Sequence, residues 1–132
     1  MSDYFGQDSS GRAPGAAGRY VAIDDQPEVE AAPGVRIRAV AGGALMLSYV
    51  RLDPRSEAAT HTHDEEQMGI VLSGRCTFSL DGDVRELHTG DVYHAPPGVP
   101  HGAATGDEPC EILDLFAPPR AALLELIEKS TS

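Results

Sequence analysis

The stretch that most constrains the fold is His61-Thr62-His63-Asp64-Glu65-Glu66-Gln67, taken with a third histidine at His101. On an extended segment, residues two apart project to the same face. His61 and His63 therefore offer their imidazoles to one point, and neutral imidazole is the commonest protein ligand for metals. Asp64-Glu65-Glu66 reads as a polar turn, after which Gln67 opens a new strand, Met68-Gly69-Ile70-Val71-Leu72, and turns its amide oxygen back toward the pair. His101 follows the rigid run Ala95-Pro96-Pro97-Gly98-Val99-Pro100. A chain in which His61, His63, Gln67 and His101 hold one divalent ion must return on itself between them. Imidazole suits several ions, so Zn, Ni, Fe and Mn all remain open.

The rest of the sequence supplies short strands for that return. Residues 35–40 alternate apolar and polar, and residues 44–52 are apolar on both faces, with Leu45, Leu47 and Tyr49 opposing Met46, Val50 and Leu52. Residues 75–80 alternate again, and Asp81-Gly82 is a two-residue hairpin signal. Further strands are expected at 84–87, 92–94 and 111–116. Pro118-Pro119 then opens a helix over 119–129, with Leu123, Leu124 and Ile127 as its apolar stripe. This pattern predicts an all-β fold, an antiparallel barrel or jelly roll with a short C-terminal helix, over residues 35–132. Residues 1–34 form an N-terminal arm. It has little to bury between 6 and 18, a short strand at 20–23 and a connecting loop at 27–34.

Composition narrows the function. The 132 residues make one domain, large enough to bury a core. A net charge of −11 excludes nucleic acid and anionic membrane surfaces as partners. It leaves room for a small anionic substrate, because a metal and one arginine set the local field. No apolar window is long enough to span a bilayer and no secretory signal opens the chain, which points to the cytoplasm. Cys76 and Cys110 form no CxxC and are expected to be reduced and partly buried. The doubly apolar stretch 44–52 and the arm both need cover, so a homodimer is expected.

Asp114 shares one face of its strand with Ile112 and Phe116, and a carboxylate there is costly to bury unpaired. It must pair with a cation or carry a proton at a raised pKa. Arg120, just past the strand, either pairs with Asp114 to tie strand to helix or binds a substrate carboxylate. His94 points into the barrel or packs within its strand; His88 has no assigned role. Glu65 and Glu66 read as a solvated turn, and either would ligate if the register were off by one.

These residues resemble the two motifs of the cupin superfamily. The first, G-x5-H-x-H-x3,4-E-x6-G, is met by His61, His63, Gln67 and Gly74; the second, G-x5-P-x-G-x2-H-x3-N, by Gly90, Pro96, Gly98 and His101. Arg55 and Thr105 replace the opening Gly and closing Asn, and Gln67 stands where Glu is commonest. With Gln67, the ligands are three imidazoles and an amide, all neutral. The ion keeps its +2 charge and becomes a stronger Lewis acid, which favours polarising a carbonyl, carboxylate or enolate. The segment Asp114-Leu115-Phe116-Ala117-Pro118-Pro119-Arg120 further resembles the small cupins of pectin and alginate catabolism. Those enzymes convert unsaturated uronates to linear keto sugars. The resemblance implies metal ligation by His61, His63, Gln67 and His101, catalysis by Asp114 and Arg120, and Phe116 and Arg120 against the sugar. Small metal cupins also include polyketide cyclases and isomerases of secondary metabolism, and cupins that bind a ligand without turning it over.

Overall fold

The computed structural model describes residues 4–6, 11 and 17–131. Among these, nine strands precede one helix: β1 (Val29–Ala32), β2 (Val35–Ala41), β3 (Met46–Leu52), β4 (Glu57–His61), β5 (Glu66–Leu80), β6 (Asp83–His88), β7 (Val92–Ala95), β8 (His101–Ala104), β9 (Cys110–Ala117) and α1 (Ala121–Thr131). All pairings are antiparallel, in the order β1-β2-β3-β9-β5-β8-β4, with β6 and β7 also on β5. The fold is the expected antiparallel barrel with a short C-terminal helix.

β5 organises it. Two strands were expected at 68–72 and 75–80; the chain runs straight through as one of 15 residues. Gly74 makes this workable. At φ +74 it turns the strand without ending its pairing, and a side chain there would fall on the Pro109 carbonyl. Before Gly74 the strand pairs with β7 and β9, and beyond it with β6 and β8, so one strand joins two sheets. At the far end Asp81 and Gly82 take φ +51 and +82, the paired left-handed values of the two-residue hairpin expected there.

Four local expectations are corrected. Residues 20–23 form no strand: Tyr20 and Val21 are exposed, and a 3-10 turn follows at Ile23–Asp25. The first strand lies instead in the supposed loop, where Val29 is buried opposite Ile37. The expected lack of structure over 6–18 falls largely outside the described residues. Residues 101–104, where no strand was expected, form one because Gly102 lets β4 approach: a Cβ there would lie 2.9 Å from the Ala58 carbonyl oxygen and the Thr60 nitrogen. The helix starts later than 119, at Ala121, where the Arg120 carbonyl accepts from the Leu123 and Leu124 N–H groups. Its buried stripe is Leu123 with Leu126 and Ile127; Leu124 faces out.

Registers across the first sheet set the layout of its inner wall. Ala41, Met46, Phe116, Gln67 and Ala95 form one inward row. The next contains Ala39, Ser48, Asp114, Gly69 and Tyr93, and below it lie Ile37, Val50, Ile112 and Val71. Rows are roughly 7 Å apart, two residues of antiparallel strand. One core cluster fills the space between the sheets around Val50, Val71, Phe78 and Ile112; another locks α1 onto Met46 and Phe116 through Leu123. Cys76 and Cys110 are free and buried in the first. Among the described residues no helix is long and apolar enough to cross a membrane.

Candidate metal centre

His61 closes β4 and His101 opens β8, and the two are direct register partners. His63 is delivered by the short connection to β5, whose position is fixed by a hydrogen bond from the Gly98 N–H to the His63 carbonyl. The ring centroids lie 4.5 Å apart for His61–His101, 4.9 Å for His63–His101 and 5.7 Å for His61–His63. The candidate ligand atoms all lie within 4.8 Å of one another.

Each ring is oriented by its Nδ1. That atom lies 2.7 Å from the Ala59 carbonyl oxygen in His61, 3.0 Å from that of Glu65 in His63 and 2.9 Å from that of Val99 in His101. Carbonyls only accept, so the Nδ1 atoms carry the protons and the Nε2 lone pairs are left facing one another. Burial holds the His61 and His101 imidazoles below their ordinary pKa, which keeps them in the neutral, ligating form. Among the described residues, His101 Nε2 is buried with no hydrogen-bond partner. Gln67 Oε1 lies 2.9 Å from His63 Nε2, two acceptors converging once His63 donates through Nδ1. A divalent cation satisfies all of these atoms together, so the residues present fit a metal ion.

Beside the histidines opens a cavity of about 340 Å³. Ser48, His101, Asp114, Phe116 and Arg120 line it near the histidines, and Val50, Leu52, Phe78 and Ile112 line its apolar floor. Asp114 is buried, and burial pushes its carboxyl up to about 6, against the opposing pull of its hydrogen bonds to Tyr93 and Gln67 and of the Arg120 charge. The Tyr93 hydroxyl donates to Asp114 Oδ1 and accepts from Gln67 Nε2 at 2.6 Å. Arg120 forms no ion pair with Asp114; its guanidinium carbon lies 5.9 Å from the centroid of the Phe116 ring, and its Nε is buried without a partner. Ser48 Oγ is likewise buried and unpartnered.

The cupin-domain model matches residues 48–116, more than half of the chain. The chain belongs to the cupin family. Over 108 residues, 80% of this chain and 98% of the relative, it is 30% identical to the pectin degradation protein KdgF of Dickeya dadantii. The solved structure of KdgF from Halomonas sp. superimposes with a TM-score of 0.75 at 27% identity, covering 81% of this chain and 99% of that one. A shorter segment of 61 residues, 45% of this chain, is 43% identical to the H2HPP isomerase of Bacillus subtilis, of which it spans only 25%.

Within this cupin the departures from the motifs have local explanations. Arg55 takes φ +54, the conformation a glycine would adopt there, and Thr105 ties the same loop by donating to the Asp53 carbonyl and accepting from the Ser56 N–H. His61, His63, Gln67 and His101 are brought together as expected, and Asp114, Phe116 and Arg120 line the adjoining cavity. His94 does not enter the barrel. It lies on the outer face, 2.6 Å from Glu66, and that contact turns Glu66 away from the histidines as well. Glu65 stands beside His63 Nδ1 at 3.5 Å rather than on the ligating side. His88 is exposed against Glu86. Sequence reasoning missed Tyr93 and Ser48. Tyr93 sits at a strand position that reads as core, and Ser48 is one small residue within an apolar run. Their inward parity, shared with Asp114 across the sheet, was the available signal.

Proposed function

We propose that this cupin is a metal-dependent isomerase of a small anionic carbonyl substrate, and that its reaction is the ring opening and ketonisation of an unsaturated uronate. The observation that carries the reading is that three buried polar atoms without partners, Ser48 Oγ, His101 Nε2 and Arg120 Nε, all belong to residues lining one cavity. An unsatisfied buried polar group is costly, and three at one cavity mark where a ligand completes them. His61, His63, Gln67 and His101 hold the ion, which when bound supplies Lewis-acid polarisation of a substrate oxygen. Arg120 takes the substrate carboxylate and Phe116 packs against the ring. Asp114, held between protonation states near neutrality by burial, moves the proton between carbon and oxygen. The similarity to the pectin degradation protein supports a uronate. The apolar floor supports a second reading, isomerisation of a substrate with a hydrocarbon body, in keeping with the segment shared with the H2HPP isomerase.

The test is turnover of an unsaturated uronate by zinc-loaded protein. Asp114→Asn should fold, bind metal and lose turnover, and Arg120→Ala should raise KM chiefly for substrates bearing the carboxylate. If both variants melt early yet keep turnover per folded molecule, the two residues are structural. If the protein binds the uronate without converting it, a binding-only cupin replaces the enzyme.

We also propose that the protein works as a homodimer through the outer face of the first sheet. There Val40, Leu47, Leu115, Met68 and His94 form one row and Arg38, Tyr49, Leu113, Ile70 and Val92 the next, with Leu47, Met68, Val92 and Leu115 all exposed. These two rows carry no acidic residue, on a chain whose net charge is −11, so two copies meet there with least repulsion. Light scattering at micromolar concentration should give twice the chain mass; a monomeric mass would remove the proposal.

A further inference from the structure

Taking the site to be a metal centre, we infer that Tyr93 is the positioning residue for the fourth metal ligand, and that its pairing with Asp114 is what calls for an amide rather than a carboxylate at position 67. The Tyr93 hydroxyl is buried, 6% of the residue being exposed, and its single hydrogen is donated to Asp114 Oδ1. It then has only lone pairs to offer its other neighbour. The Gln67 amide meets them with Nε2 at 2.6 Å, which leaves Oε1 on the histidine side, 2.9 Å from His63 Nε2. Turning the amide over would set two oxygens in competition for that hydrogen and place amide hydrogens where the cation belongs.

The same logic explains the residue type. With Asp114 ionised, a glutamate at 67 would bring a second acceptor-only group to a phenol that already serves Asp114, and one of the two buried carboxylates would lose its donor. The backbone is built for the arrangement. Tyr93, Gly69 and Asp114 occupy one register row, and a Cβ on Gly69 would fall on both Asp114 Oδ1 and the Tyr93 ring. Glycine there opens the gap through which the phenol reaches the carboxylate. The ring is independently held by Phe78, with centroids 4.1 Å apart, so loss of the hydroxyl alone leaves its packing in place.

The experiment is a double-mutant cycle on metal binding, with cobalt(II) as the probe and competition titration and visible absorption as readouts. Wild type should bind one equivalent. Tyr93→Phe should weaken binding about 10- to 100-fold, the usual effect of removing a group that orients a ligand, and should change the ligand-field spectrum. Gln67→Glu should gain at least about tenfold more affinity in the Tyr93→Phe background than in wild type, because the competition for the phenol proton is gone. Equal effects of Gln67→Glu in both backgrounds would overturn the inference, as would unchanged affinity and spectrum in Tyr93→Phe. Should Tyr93→Phe fail to fold, NMR on zinc-loaded wild type decides. Contacts from the Gln67 amide protons to the Tyr93 ring support the inference, and contacts to the imidazoles defeat it. A wild type that binds no cobalt at all removes the metal reading itself, and the inference with it.

Discussion

The two faces of strands β3, β9 and β5 have the same backbone and opposite chemistry. Inward, Ser48, Asp114 and Gly69 lie in one row beside Tyr93, with Gln67 and Phe116 in the row above. Outward, one residue along each strand, Leu47, Leu115 and Met68 lie side by side in the open. The inner face carries polar groups, with Ser48 Oγ buried and, among the described residues, unpartnered; the outer face carries exposed Leu47, Leu115 and Met68. Because side chains alternate with period two, a one-residue slip in register would exchange them. The twist and closure of the barrel therefore fix not just packing but which side chains of each strand face the candidate site.

The largest effect expected from breaking this comparison is at the histidines. His101→Ala removes a buried candidate ligand at the start of β8 and should lower zinc affinity more than about 100-fold, beyond the range seen for groups that only orient ligands. His94→Ala, on the outer face with Glu66 as its partner, should leave zinc affinity within about twofold. A chelator competition titration measures both. Equal losses would mean that the two faces are not chemically separate.

A methyl group is the next probe. Gly69→Ala places a Cβ on Asp114 and the Tyr93 ring. Overpacking of this kind costs about 1–3 kcal/mol, measured by urea denaturation of the metal-free protein. Leu72→Met, on the outer face, should stay within about 0.5 kcal/mol. If Gly69→Ala is equally neutral, the inner row is looser than its contacts indicate.

The candidate ligands His61, His63, Gln67 and His101 were legible in the sequence because their spacing, flanking turns and Pro/Gly run all agree with strand geometry. Strand alternation likewise exposed Asp114 as a carboxylate on an inward face. What it hid were features that exist only after pairing. Gly74 reads as a strand break, yet at φ +74 it bends a continuous strand from one sheet into the other. Residues 101–104 look too small and polar to form a strand, but that smallness is what admits β4. Tyr93 could not be linked to Gln67 and Asp114 without knowing that β7, β5 and β9 are neighbours. His94 was ambiguous for the same reason: its parity is set by the register of β7 on β5.

The outer face is tested by charge. Leu115→Lys sets an ammonium between Leu47 and Met68, where a second copy would have to desolvate it unpaired. Self-association should weaken at least about tenfold by sedimentation, while zinc stoichiometry, which depends on the opposite face, stays at one. Loss of metal together with loss of the dimer would show that the faces are coupled through the sheet.

The smallest effect is expected from Ser48→Ala, and its sign is informative. The Ser48 hydroxyl is buried without a partner and lies in the same inward row as Asp114. A desolvated, unsatisfied hydroxyl opposes folding, so replacing it by a methyl should raise stability by up to about 1 kcal/mol. If that hydroxyl instead completes its hydrogen bonding on a substrate oxygen, the same change should raise KM by roughly fivefold, the equivalent of one hydrogen bond of about 1 kcal/mol. Stability and substrate affinity would then move in opposite directions from a single atom. This is the signature of a group held ready for a ligand rather than for the fold. A variant that melts lower with KM unchanged would place Ser48 with the packing residues instead, leaving Arg120 and the histidines as the site's polar contacts.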